Sequence, residues 1–265
     1  MRKLELPLEG LEALQSYAFQ RTVGLILSRT DRLENASGVP VTVGARSFVA
    51  TAGHNLINHG NTQIALVHLD EIDHHQVPFL ARWPERGAPC PEPDIGYLEV
   101  GPEAVARSSK KFVPLGDLSF AMPTAGMSAL LIGYPSERVR RPLLAQDLIY
   151  LGAVAIHTQV CPNPKRSAHA ASFAVRIEPR GTRLETRRPM STPALAGMSG
   201  GGVWSVPAER ESGIWSAQGA TLLGIQYSYH RGDGLAIATS MRAWLELVAD
   251  HYSDLRQQIL QHLQR

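Results

Sequence analysis

Short runs of apolar and β-branched residues, interrupted by Gly, Pro, Asn or Asp, recur along most of the chain. Such runs predict β-strands, because an alternation of apolar and polar positions suits a sheet with one buried face. Many short strands at this spacing are typical of sandwiches and barrels, so the chain is expected to be all-β. Strands are predicted at residues 22–28, 39–43, 46–51, 63–68, 96–100, 129–134, 172–177, 202–205, 221–227 and 235–239.

Helical periodicity is confined to the two ends of the chain. Apolar residues recur at three- and four-residue steps from Trp244 to Leu263, which predicts a C-terminal helix over 240–265 with Ser240 as a candidate N-cap. A short helix is predicted at 8–19, inside an N-terminal extension over 1–21. The run 101–118 is the best candidate for a linker, which divides the remainder into strand-rich halves at 22–118 and 119–239.

Composition narrows the class of protein. The chain has 265 residues, 19% of them charged, and a formal net charge of +2. No stretch reaches the roughly 18 consecutive apolar residues of a membrane span, and the first residues lack the apolar core of a secretion signal. Only two cysteines occur, Cys90 and Cys161, whereas secreted proteins of this class usually carry several pairs. We therefore expect a cytoplasmic protein that does not bind a membrane.

Two other ligand classes are weakly indicated. The segment 165–188 is rich in arginine, but it lacks the charge density and the stacking aromatics of a nucleic-acid site, so solvated loops are favoured and no nucleic-acid partner is expected. His54 with His59, or His74 with His75, offers pairs of metal ligands without a tetrahedral set. We expect no metal and no cofactor.

The clearest chemical motif is the glycine-rich run from Gly197 to Gly202, which surrounds Ser199. Glycines allow a close approach of the backbone, so the amides of Gly197 and Ser199 can both point at one developing oxyanion. The same letters also fit the nucleophile elbow of α/β-hydrolases. That elbow leads into a helix, and the Gly-Gly-Val-Trp that follows here is a poor helix start.

Two residues upstream complete a possible catalytic set. His54 follows a predicted strand that ends in small residues, and Asp94 precedes another apolar strand. A serine is a weak nucleophile at neutral pH and needs a base such as histidine. A buried aspartate can hold the imidazole in the required tautomer. Each residue alone has a structural explanation, but their order of His, Asp and Ser favours a catalytic one.

The blocks TAGHN, DIGYLEV and GMSGGGVW resemble the three catalytic blocks of the trypsin-like (chymotrypsin-fold) serine peptidases. The resemblance covers roughly residues 22–250. It implies two antiparallel β-barrels packed at right angles, with His54 and Asp94 in the first, Ser199 in the second, and a C-terminal helix. Ser199 would then be the nucleophile, His54 the general base and acid, Asp94 the orienting carboxylate, and the amides of Gly197 and Ser199 the oxyanion hole.

One departure from that family concerns activation. Secreted members have an aspartate before the serine that pairs with a newly cut N-terminus, whereas this chain has Met198. A thioether cannot form that ion pair, so a cut between Arg21 and Thr22 should not activate the protein. Activity would be intrinsic or controlled by a regulatory partner. The chain accordingly resembles the bacterial intracellular type more than the digestive type.

The substrate pocket also departs from the trypsin pattern. Pro193 stands at the position that resembles the base of the pocket, where trypsin-like specificity for Lys or Arg requires an acid. Gln226, Tyr227 and Ser228 belong to the segment that resembles the substrate-pairing strand, and Asp233 is the one carboxylate expected near the pocket. An uncharged residue of small to medium size is therefore predicted before the scissile bond.

These patterns predict a serine endopeptidase that cleaves protein or peptide substrates through an acyl-enzyme. Two alternatives stay open. The first is a peptide-binding protein on a peptidase fold, inactive or active only with a partner, which would share every motif. The second is a basic nucleic-acid adaptor.

Overall fold

A computed structural model describes residues 8–28, 33–56, 63–67, 90–91, 93–102, 105, 109–140, 150–161, 169–177, 179–183, 188–207 and 215–264. His59, His74 and His75 lie outside the described residues, as do parts of the arginine-rich segment 165–188 and of the predicted linker 101–118.

Seven strands of the N-terminal half form one sheet. The strands are β1 (Val23–Ser28), β2 (Leu33–Val43), β3 (Arg46–Thr51), β4 (Gln63–Val67), β5 (Cys90–Pro91), β6 (Asp94–Val100) and β7 (Val113–Pro114). Six of them follow the order β4-β1-β2-β3-β6-β5 with antiparallel neighbours, and β7 pairs in parallel with β2. Alternate residues of β2 share one face, and Val39, Val41 and Val43 are fully buried there.

The C-terminal half contains a closed barrel. The strands of this half are β8 (Ser128–Gly133), β9 (Val139–Arg140), β10 (Tyr150–Leu151), β11 (Val154–Cys161), β12 (Ser172–Arg176), β13 (Arg180–Arg183), β14 (Arg188–Ser191), β15 (Gly202–Ser205), β16 (Leu222–His230) and β17 (Leu235–Ser240). Six of them pair in the order β12-β17-β16-β15-β8-β11, and β11 pairs with β12 to close the ring. The β13–β14 hairpin extends from β11.

This architecture agrees with a mainly β fold that contains a barrel. Closure of the N-terminal sheet into a second barrel, and packing of the two at right angles, stay predictions. The domain boundaries at 22–118 and 119–239 also stay predictions. Part of the run predicted as a linker is occupied by β7, which adds to the N-terminal sheet.

The helices lie at the two ends of the chain. α1 (Leu8–Phe19) has the predicted bounds. The single C-terminal helix predicted over 240–265 is instead two consecutive helices, α2 (Met241–His251) and α3 (Ser253–Leu263). They are separated by Tyr252, whose extended backbone (φ −123°, ψ 95°) interrupts the helical geometry. Ser240 is the residue before α2, but its side chain makes no capping hydrogen bond.

One hydrophobic core joins the two halves and the terminal helices. Phe48 of β3 makes edge-to-face contacts with Tyr97, Trp244 and Tyr252, at ring-centroid distances of 5.4–5.9 Å. Tyr17 of α1 meets Trp204 of β15 in the same way at 5.8 Å. Aromatic pairs in this geometry bury large apolar areas, so these rings fix the helices on the β-structure.

The C-terminal helices also hold strand β6 by hydrogen bonds. Trp244 Nε1 donates to the Gly96 carbonyl at 3.2 Å, and the Tyr97 hydroxyl lies 2.6 Å from His251 Nδ1. The Tyr252 hydroxyl donates to Glu99 at 2.9 Å. Burial and this carboxylate raise the pKa of Tyr252, so the phenol stays protonated as a donor. These contacts fix the strand that begins at Asp94.

Arg46 connects β3 to the last helix. Its guanidinium pairs with Glu99 at 2.6 Å and with Asp254 of α3 at 2.9 Å. The hydrogen bond from Arg46 holds the pKa of the Asp254 carboxyl below its usual range. This group therefore stabilises the fold above the ordinary aspartate pKa, and the contribution is lost as the pH falls through its lowered pKa.

Candidate active site

His54 and Asp94 are brought together by strand pairing. His54 lies in a short 3₁₀ turn, Gly53–Asn55, just after β3, and Asp94 is the first residue of the neighbouring β6. His54 Nδ1 is 2.7 Å from Asp94 Oδ2, and the His54 backbone amide donates to Asp94 Oδ1 at 2.9 Å. The two side chains are 45% and 20% exposed. A carboxylate can only accept, so Nδ1 carries the proton and the free lone pair of a neutral imidazole lies on Nε2.

Ser199 lies in the loop between β14 and β15, where the backbone needs glycine. Gly197 and Gly200 have φ values of 84° and 94°. A Cβ on Gly200 would meet the Ser37 carbonyl at 1.8 Å and Thr51 Oγ1 at 2.3 Å, so no other residue fits without displacing the N-terminal strands. Ser199 Oγ donates to the Tyr227 carbonyl at 3.3 Å. The structure thus gives the hydroxyl a partner on β16.

The amides of this loop fall into two groups. Those of Met198, Gly200 and Gly201 donate to backbone carbonyls at 2.7–2.9 Å. The amides of Gly197 and Ser199 have no acceptor within the part of the chain that the structure describes. Two backbone donors without an acceptor, one on either side of Met198, are a feature typical of an anion-stabilising pocket.

Two residues of β2 in the N-terminal half, together with Ser136, hold the loop. Asn35 of β2 donates to the Tyr134 carbonyl at 2.6 Å and accepts from the Ser136 hydroxyl at 2.7 Å. Ser37 Oγ donates to the Gly197 carbonyl at 3.0 Å and accepts the Tyr134 amide at 2.9 Å. We call Asn35, Ser37 and Ser136 the loop clamp. Asn35 and Ser37 lie two residues apart on β2 and Ser136 lies in a short 3₁₀ turn, and none of these positions forms a recognisable sequence motif.

A second set of hydrogen bonds joins Ser199 to β2 and to Asn55, the residue after His54. The Ser199 carbonyl accepts from the Ser37 amide at 2.8 Å and from Asn55 Nδ2 at 3.1 Å. Asn55 also donates to Thr51 Oγ1, whose hydroxyl donates to the Ser37 carbonyl. These bonds fix the serine loop directly beside the turn that carries His54.

A cavity of about 830 Å³ opens beside Ser199. Of the predicted pocket residues, Pro193, Gln226, Tyr227 and Ser228 line it together with Ser199. Asp233 lies in the exposed turn between β16 and β17 and is not among the lining residues. The remaining lining residues are Glu137, Ile177, Pro179, Thr192, Ala194, Leu195, Ala196, Tyr229 and Arg231.

Met198 has an apolar environment. Its side chain is fully buried in the barrel core, in a cluster that includes Leu131, Leu195 and Val203. The thioether therefore packs within the apolar interior of the barrel.

Metal ligands, membrane-spanning helices and cysteines are the other features considered from the sequence. In the described part of the chain, no three His, Cys, Asp or Glu side chains are grouped as metal ligands would be. None of the described helices combines the length and apolarity needed to cross a membrane. Cys161 is a free, partly buried thiol.

Comparisons of the whole chain with known proteins give similarity in structure alone. No family model and no curated protein matches the sequence. The scabies mite inactivated protease paralogue S-I1 superposes with a TM-score of 0.58 at 15% identity, over 88% of this chain and 94% of that one. A serine endoprotease from Yersinia pestis superposes with a TM-score of 0.52 at 13% identity, over 94% of this chain and 69% of that one. At such identities the likeness defines the fold: this chain has the fold of the trypsin-like serine proteases.

Proposed function

We propose that this protein is a serine endopeptidase that cleaves peptide bonds through an acyl-enzyme on Ser199. The observation that carries the proposal is the pair of bonds from His54 to Asp94, which leaves the imidazole Nε2 as an available base. The unpaired amides of Gly197 and Ser199 add a site for the negative charge that develops on the substrate carbonyl oxygen.

The reaction requires one change at Ser199. Its hydroxyl must leave the Tyr227 carbonyl and turn to His54 Nε2 when a substrate binds. Nε2 then takes the proton as Oγ attacks the scissile carbonyl carbon, and Asp94 stabilises the resulting imidazolium. The imidazolium gives the proton to the leaving amine. Water, deprotonated by the same nitrogen, next hydrolyses the ester, and Ser199 regains its proton.

The alternative is a peptide-binding protein that lacks activity, or gains it only with a regulatory partner. The bond from Ser199 Oγ to Tyr227 favours it, because the hydroxyl is not directed at the imidazole in this structure. One structural relative is itself described as an inactivated protease paralogue. We propose the active form, acting on protein or peptide substrates in the cytoplasm without a cofactor, and treat control by a partner as part of the proposal.

Reaction with a fluorophosphonate probe tests the proposal. The purified chain should become labelled at Ser199, and Ser199→Ala should abolish labelling. Ser199→Ala and His54→Ala should each lower the hydrolysis of an unstructured peptide mixture roughly 10⁴- to 10⁶-fold, because nucleophile and base act as a unit. Ser253→Ala is a matched control, since Ser253 is exposed at the start of α3. Labelling that appears only in a cell extract would support partner control, and its complete absence would refute an active site.

A further inference from the structure

The cavity beside Ser199 is lined by a polar side chain that has no role in the proposed catalytic reaction. Gln226 lines the cavity and is only 1% exposed. Its Nε2 donates to the Ser228 carbonyl at 3.0 Å. Its Oε1 is buried and has no hydrogen-bond partner among the described residues.

The orientation of this amide is fixed by its surroundings. If the amide were rotated by half a turn, Oε1 would face the Ser228 carbonyl and two acceptors would oppose each other. Nε2 therefore belongs beside Ser228, and the unpaired atom is the acceptor. A buried acceptor without a donor is unfavourable, so a substrate group whose N–H or O–H reaches Oε1 from the cavity would be favoured over one without a donor.

The described lining of the cavity has no strong charge preference. Its charged residues are Glu137 and Arg231, one of each sign, and both are exposed. Most of the other lining side chains are apolar, among them Ile177, Pro193 and Leu195. Among the described lining residues a buried cation or anion would find no buried counter-charge, so we expect a neutral occupant.

The place of Gln226 in the chain connects it to the scissile bond. It precedes Tyr227, whose carbonyl accepts the Ser199 hydroxyl, and Ser199 itself lines the same cavity. A substrate carbonyl attached to Ser199 therefore places the side chain of the same residue next to this cavity.

We propose that Gln226 Oε1 selects the residue before the scissile bond, and that it favours an uncharged side chain with a terminal hydrogen-bond donor, such as the amide of Gln or Asn or the hydroxyl of Thr or Ser. This inference rests on the proposed peptidase function. It makes Gln226 a specificity residue, because a substrate without a donor leaves a buried acceptor unpaired in the complex.

Matched peptides test the inference. Substrates that differ only at this position are compared as pairs of similar shape: Gln with Met, Asn with Leu, and Thr with Val. The polar member of at least one pair should have a kcat/KM about tenfold higher or more. Ratios measured with one enzyme preparation do not depend on the fraction that is active, and titration with the fluorophosphonate gives that fraction separately.

Two variants assign the effect to Gln226. Gln226→Met should bring the polar-to-apolar ratio to about one or below, whereas Gln226→Glu should raise cleavage after Lys or Arg relative to wild type, because a carboxylate offers a counter-charge. Gln218→Met makes the same chemical change in an exposed turn outside the cavity and should keep the wild-type ratio.

The outcomes separate the two proposals. No labelling at Ser199 refutes the peptidase function. Labelling and hydrolysis with no polar preference, with a preference for Lys or Arg in the wild type, or with ratios that Gln226→Met leaves unchanged, would refute the role of Gln226 alone. No polar preference in the wild type would mean that Oε1 is satisfied by buried water, and a ratio unchanged by Gln226→Met would mean that another group sets the preference.

Discussion

Asp94 makes two different contacts with His54, and each has its own role. Oδ1 accepts the backbone amide and positions the turn, while Oδ2 accepts from the ring at Nδ1. The first contact would survive replacement of the carboxylate by an amide. The second would not, because the amide nitrogen would present a donor to Nδ1.

We therefore expect Asp94→Asn to fold normally and to lose turnover by roughly 10⁴-fold, through the wrong imidazole tautomer. The measurement is the rate of peptide hydrolysis, with thermal unfolding as the check of the fold. Turnover within tenfold of the wild type would contradict the role of Asp94.

The serine loop is held by the N-terminal sheet and not only by its own barrel. A Cβ on Gly197 would lie 2.5 Å from Asn35 Nδ2 and 2.6 Å from Ser136 Oγ, so the loop and the clamp are in close contact. Ser136 also donates its amide to the Ala196 carbonyl at 2.7 Å. The clamp thereby fixes the backbone that presents the two unpaired amides.

Asn35→Ala removes both side-chain hydrogen bonds of Asn35, to the Tyr134 carbonyl and from the Ser136 hydroxyl. We expect fluorophosphonate labelling to slow roughly 10- to 100-fold, because a small displacement of the amides weakens transition-state binding. Ser136→Ala removes one of these bonds and should have a smaller effect. The labelling rate and the melting temperature of each variant are measured together. If slower labelling occurs only in a variant that is also unfolded, a positioning role for the clamp is contradicted.

Strand β11 shows which elements the sequence pattern left undetected. Val154–Cys161 is a central strand of the barrel and pairs with β8, β12 and β13. Its polar residues His157, Thr158 and Gln159 follow one another and interrupt the alternation. Tertiary pairing on both edges stabilises it regardless, because strand preference depends on neighbours more than on the local sequence.

The surroundings of Met198 and the start of β1 argue against activation by cleavage. Met198 is buried among apolar side chains. Thr22 is fully buried, and its hydroxyl donates to the Ala18 carbonyl at 2.9 Å. Arg21 lies over the Tyr17 ring, 3.6 Å from its centroid. This junction is therefore part of the packed fold, and Met198 provides no carboxylate for a new amino terminus.

The intact chain should consequently react with the probe, alone or with a partner, without a cut between Arg21 and Thr22. Mass spectrometry of the labelled protein measures this directly. An Arg21→Gln variant, which lacks the basic residue before that bond, should label like the wild type. If only chains beginning at Thr22 became labelled, activity without a cut between Arg21 and Thr22 would be refuted.

The mainly β character and the bounds of α1 could be predicted from the sequence, because both depend on local periodicity. The resemblance of the blocks around His54, Asp94 and Ser199 to one protein fold could also be predicted, because it depends on residue types at fixed positions. The break between α2 and α3 at Tyr252 required the tertiary structure, since this side chain is held by Phe48 and Glu99 from other elements. The clamp from Asn35 to Ser136 and the unpaired oxygen of Gln226 also required it. Whether a polar group has a hydrogen-bond partner depends on residues that are distant in sequence, and a local sequence pattern does not predict which of them come into contact.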